Sequence, residues 1–68
     1  MITPSPAQIR EARESAGLSQ EAAAALIYKT RSAWAQWEAR ESASNHRAMD
    51  PAFWELFLIK TKQQKSPE

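Results

Sequence analysis

The spacing of helix-start signals constrains this chain more than any other feature. Ser5-Pro6, Ser19, Thr30 and Asp50-Pro51 each place a side-chain oxygen just ahead of a helix-compatible run. Such an oxygen accepts from a backbone N–H that the first turn of a helix leaves unpaired. A proline directly after it is harmless, because its missing N–H has no partner there anyway. Gln8 lies three residues after Ser5, the spacing of a capping box. Gly17 is the sole glycine, and it follows the last periodic apolar position of the first run, where a left-handed cap is expected. These signals predict helices at about 6–16, 20–27, 31–39 and 51–61, and no stretch reads as a strand. The expected fold class is all-α, a compact bundle of four to five helices.

Apolar residues recur at helical spacing inside these segments. Ile9, Ala12 and Ala16 mark the inner side of the first, and Ala23, Ala24 and Ile27 that of the second. Trp34 and Trp37 are three apart and share a face of the third, which favours a core role over a stacking platform for single-stranded nucleic acid. From Ala39 to Met49 the periodicity stops, and Ser42, Ser44 and Asn45 read as an unusually long connection. Residues 1–62 are expected to form one domain, and residues 63–68 a polar tail.

Composition excludes several classes of function. Sixty-eight residues make one domain at most, with a core that supplies only about 3–5 kcal/mol. With no cysteine and one histidine, His46, no metal site is expected, and no cofactor. The longest apolar run, 56–59, is far too short to cross a bilayer, and no signal peptide is evident. A cytoplasmic protein without a membrane partner is therefore expected. There is no phosphate loop and no nucleophile paired with a base, so an enzyme is not expected. A formal net charge of +1 neither demands nor excludes nucleic acid.

Two short helices joined by a turn, the second with an exposed polar face, make a helix-turn-helix unit at about 20–39. The residues within it resemble the phage-repressor family, Cro/cI-like and also called XRE. The resemblance lies in Leu18-Ser19-Gln20, Ala24, Ile27, Trp34, Trp37 and Glu38, preceded by 9–13 and Gly17. It covers about half the chain. The stretch Arg47-Ala48-Met49, Pro51 and Trp54-Glu55-Leu56-Phe57 is similar to short phage regulators, including anti-CRISPR-associated repressors. The resemblance implies a lambda-repressor-like fold, a DNA-binding repressor that often controls its own operon, and a partly buried Arg13–Glu38 salt bridge. Two positions depart from the family pattern: Tyr28 stands where glycine is usual, and Lys29 where an apolar residue is usual. A non-glycine at positive φ is strained by about 1 kcal/mol or more.

A recognition helix reads base edges with its N-terminal half. Arg31, Ser32 and Gln36 occupy the exposed face of the third helix, and they are the expected base contacts. Arginine pairs bidentately with guanine, glutamine with adenine, and serine serves either. Gln20, Lys29, Arg40 and Arg47 are the expected phosphate contacts. The alternative is a solvated helix face for Arg31, Ser32 and Gln36, a plain helix-start residue for Gln20, and an ordinary solvated loop for Arg40 and Arg47.

The last helix carries more apolar surface than one core needs. Phe53, Leu56, Phe57 and Lys60 form one stripe, and Trp54, Leu58 and Thr61 another. A second large apolar patch marks an interface. Trp54 and Leu58 are therefore expected at a homodimer interface, and a two-fold dimer suits a palindromic operator on double-stranded DNA. The competing reading is an antitoxin-like interaction module that uses the last helix to hold another protein, with DNA binding secondary.

Overall fold

The computed structural model describes residues 3–62. Its elements are α1 (Pro6–Ser15), α2 (Gln20–Leu26), α3 (Arg31–Glu38) and α4 (Pro51–Lys60). Among the described residues there is no strand and no fifth helix. The expected polar tail, 63–68, lies outside the described residues.

Every expected N-cap is in place. Ser5 Oγ accepts from the Gln8 N–H at 3.2 Å, and Gln8 Oε1 accepts from the Ser5 N–H at 2.8 Å, which completes the capping box. Ser19 Oγ accepts from Ala22 N–H at 3.1 Å, Thr30 Oγ1 from Ala33 N–H at 3.2 Å, and Asp50 Oδ1 from Ala52 N–H at 2.8 Å. Each helix ends one residue earlier than its sequence pattern suggests. Ala16, Ile27, Ala39 and Thr61 are C-caps rather than last helical residues. The apolar pattern runs on through a cap, because a cap residue can still face the core.

α1 and α2 close with the same backbone device. At the end of α1, Leu18 N–H donates to Arg13 C=O at 3.2 Å and Gly17 N–H to Glu14 C=O at 3.0 Å. At the end of α2, Lys29 N–H donates to Ala24 C=O at 2.9 Å and Tyr28 N–H to Ala25 C=O at 3.2 Å. Both are Schellman closures, which need one left-handed residue. Gly17 fills that position at φ 71° and Tyr28 at φ 63°. The turn between α2 and α3 thus keeps the left-handed conformation although it carries a side chain.

The core gathers Ile9 and Ala12 of α1, Ala23 and Ala24 of α2 with Ile27, Trp34 and Trp37 of α3, and Phe57 of α4. Trp34 is fully buried, with ring centroids 5.6 Å from Trp37 and 4.9 Å from Phe57. Phe53 stacks beside Trp37 at 6.1 Å. Offset and edge-on rings at such separations add to the burial term. Neither tryptophan keeps an open face for a nucleobase. Ala23 and Ala24 have no exposed surface, and their small side chains let α2 lie close to its neighbours.

Two regions differ from the sequence pattern. Met49, which sits at the end of the aperiodic stretch, is buried in the core. A single apolar anchor inside a loop has no periodic neighbours and leaves no helical or strand signal. The loop is held by backbone and ring contacts: Arg47 N–H donates to Gln36 C=O at 3.1 Å, and His46 Nδ1 lies 3.0 Å from Ala39 C=O. In α4, the division into a core stripe and a second stripe is blurred. Only Phe57 is fully buried, Lys60 is exposed, and Phe53, Trp54, Leu56 and Leu58 each lean partly on the core. A helix that is apolar all round has no preferred rotation, and this domain covers only part of its girth. Among the described residues, no helix is long and apolar enough to cross a membrane.

Candidate nucleic-acid interface

α3 divides cleanly into two faces. Trp34, Trp37 and Glu38 are buried, whereas Arg31 and Ser32 are exposed and Ala35 and Gln36 are half-buried. Helical spacing puts residues 31, 32, 35 and 36 together on the outer side. The Thr30 cap fixes where this helix begins, so Arg31 and Ser32 fall in its first turn. Ala35, on the same side, adds only a methyl group to the outer face.

Glu38 anchors that helix from within. Its side chain is 5% exposed and that of Arg13 16%. Arg13 Nε donates to Glu38 Oε2 at 2.7 Å and Arg13 Nη2 to Oε1 at 3.1 Å, a two-pronged pair. Arg13 Nη1 also donates to Leu18 C=O at 3.0 Å. Trp34 Nε1–H donates to Glu38 Oε2, and Gln20 Nε2 donates to Oε1 at 3.3 Å. The expected Arg13–Glu38 salt bridge is therefore present and tied into both helices of the unit. Burial alone pushes the Glu38 carboxyl up. The hydrogen bonds from Arg13, Trp34 and Gln20, with the Arg13 charge, outweigh burial and hold it below its ordinary value. The hydrogen bond to Glu38 in turn raises Arg13 against the opposing effect of burial. Arg10, 60% exposed and 3.8 Å from Glu38, adds little.

This internal neutralisation changes the charge of the outer surface. Between residues 29 and 47 the basic side chains are Lys29, Arg31, Arg40 and Arg47, and with Glu38 engaged inside, Glu41 is the remaining acid. Arg40 and Arg47 are exposed, and the Arg47 backbone bond to Gln36 brings the loop alongside α3. Arg47 Nη1 turns back to His46 C=O at 2.8 Å.

The remaining expected phosphate contacts are already engaged within the protein. Gln20 opens α2 and is linked through Glu38 to α3, with its second N–H and its carbonyl oxygen outside that bond. Lys29 is half-buried, and its ammonium sits 4.9 Å above the Phe53 ring. A phosphate would have to draw it off that ring, against about 0.5–1 kcal/mol. Neither a protein-family model nor a curated protein matches this chain.

Trp54 and Leu58, the expected dimer residues, are half-buried and line a groove of about 310 Å³ with Gln8, Glu11, Ala12 and Ser15 of α1. They sit on the α1–α4 side of the domain, away from the α2–α3 unit in sequence and in lining. Two participants escape sequence reasoning. One is the Gln20–Glu38 contact, which no spacing rule reveals across 18 residues. The other is Lys60, which reaches back to the turn before α3: its Nζ donates to Leu26 C=O at 2.9 Å and to Tyr28 Oη at 3.0 Å. The one available signal was a tyrosine at a position suited to glycine.

Proposed function

We propose that this chain is a sequence-specific, double-stranded DNA-binding regulator, a cytoplasmic repressor that covers promoter DNA, its own included, as a dimer on a palindromic operator. The single observation that carries this reading is the two-faced α3. Its inner face is locked by Trp34, Trp37 and Glu38, and its outer face offers Arg31, Ser32 and Gln36 around a slim Ala35. In this reading Arg31 pairs with a guanine edge, Gln36 with an adenine, and Ser32 with either. Gln20, Arg40 and Arg47 hold phosphates, and Lys29 joins them when drawn from Phe53. The chain is a binding protein rather than an enzyme. Among the described residues no group of His, Asp and Glu is placed to hold a metal.

The dimer uses α4. Trp54 and Leu58 are only half covered by their own domain, and Ile59 is 37% exposed. Burying such side chains against a second copy gains about 25 cal/mol per Å² of apolar area, offset by the freedom lost on association. Micromolar self-association, tightened by DNA, is the expected balance. Two recognition helices would then meet successive major-groove faces about 34 Å apart.

Selection of bound sequences from random duplexes tests the reading. A palindrome with a fixed half-site separation is expected, and sedimentation should show a dimer that Trp54→Ala weakens. A parent that selects no sequence, yet pairs tightly with an unrelated protein through Trp54, would favour the antitoxin-like reading instead.

A further inference from the structure

Tyr28 combines a left-handed backbone, which it shares with Lys62 among the non-glycine residues described, with a large exposed ring. It is 81% exposed, more than any other large apolar side chain described, and it holds the left-handed backbone at φ 63°. The equivalent closure of α1 uses Gly17. Glycine at 28 would relieve the strain and open no cavity, because the tyrosine ring fills no part of the core. Core packing therefore gives no reason for tyrosine here, and its contacts within the fold are those with Lys60. A strained, exposed residue that persists points to a role outside stability.

The surroundings of Tyr28 give that role a chemistry. Lys60, at the last turn of α4, places its ammonium 4.3 Å from the centroid of the Tyr28 ring. It also donates to the Tyr28 oxygen at 3.0 Å and to Leu26 C=O at 2.9 Å. An ammonium has three N–H donors, so one remains beyond these two bonds. The tyrosine oxygen, having accepted from Lys60, points its own O–H elsewhere. That hydrogen bond and the nearby charge hold the phenol below its ordinary pKa, which makes it a stronger donor. Neither ion pair found among the described residues involves Lys60. The result is an exposed positive charge with two donors beyond the bonds described, enough for one phosphate oxygen pair. Tyr28 lies two residues before the Thr30 cap and three before Arg31, at the mouth of α3.

We propose that Tyr28 and Lys60 together hold a backbone phosphate of duplex DNA, beside the base pair that Arg31 reads. This rests on the DNA-binding reading above. Lys60 acts from a helix outside the helix-turn-helix unit, so α4 contributes to the DNA surface as well as to the dimer.

The test is a scan of operator duplexes, each with one phosphate replaced by an uncharged methylphosphonate, against the parent, Tyr28→Gly, Tyr28→Phe and Lys60→Gln. Thermal melts run alongside. The parent should lose affinity about 3–10-fold at one phosphate, which Lys60→Gln no longer senses and the two Tyr28 variants sense less than the parent does. Lys60→Gln should lower the salt slope by about one. Tyr28→Gly should bind more weakly while melting no lower than the parent, and Tyr28→Phe, which keeps the ring, guards against a folding defect. Parental affinity, salt slope and phosphate pattern in all three variants would overturn the proposal and leave the DNA-binding reading standing. A parent indifferent to every duplex at every salt concentration would remove both.

Discussion

The inner and outer faces of α3 answer to different demands. Inside, Glu38 accepts from Arg13, Gln20 and the fully buried Trp34. Outside, Arg31 and Ser32 are exposed, and among the described residues neither side chain takes part in the hydrogen bonds that hold α3. One helix thus separates stability from recognition at a spacing of a few residues. Substitutions on the two faces should therefore be told apart by which property they change, not by how much.

The sharpest way to break this division is at Glu38. Glu38→Ala leaves the Trp34 N–H without its acceptor and the Arg13 guanidinium without its counter-charge, with only Leu18 C=O still accepting from it. Loss of one partner of a buried pair costs about 3–5 kcal/mol, and less at a partly open site such as this one; even half of that is a large share of the stability of such a domain. The variant should melt far below the parent, as circular dichroism would report. Arg13→Met with Glu38→Leu should recover part of the loss, since an apolar pair strands no charge, while the buried Trp34 N–H stays without its acceptor. The same carboxylate predicts an acid limit. Its folded-state pKa lies below its unfolded value, so its contribution is complete above the ordinary carboxylate range, about 4.3. It is then lost as pH falls from that range through the lower folded-state value. Melting midpoints measured from pH 6 down to 2 should fall through this window in the parent and fall less in Glu38→Gln.

Smaller effects sharpen the comparison through the two helix closures. Gly17 and Tyr28 share a backbone conformation and differ in what occupies it. Gly17→Ala meets no neighbouring atom and is penalised by its φ alone. Its melting midpoint should drop by about 4–8 °C. Tyr28→Gly should move the other way, by up to about 4 °C, reduced by the lost contact with Lys60 and by the greater freedom of the unfolded chain. Shifts of the same sign would mean that Tyr28 is not strained in solution.

The helices and their starts were legible in the sequence because capping is local: Ser5, Ser19, Thr30 and Asp50 each bond within three residues. Trp34 and Trp37 were legible as core because helical spacing places them together. Met49 was not, since one anchor in a loop has no period. Nor were the partners of Lys29, Gln20 and Lys60, whose contacts join residues far apart in the chain. Whether an exposed face meets DNA depends on a molecule that the fold does not contain. The outer face of α3 is therefore legible as a surface of the right chemistry, and its partner has to be found by binding.

The most direct measurement compares Arg31→Ala with Arg47→Ala on a selected operator and on scrambled duplex, each titrated across salt. Arg31→Ala is expected to lose about 1–3 kcal/mol of discrimination at one position of each half-site and to keep its binding to scrambled duplex. Arg47→Ala is expected to weaken both duplexes alike and to lower the salt slope by about one. Equal proportional losses on both duplexes from both variants, or no binding by the folded parent to either, would contradict a base-reading α3.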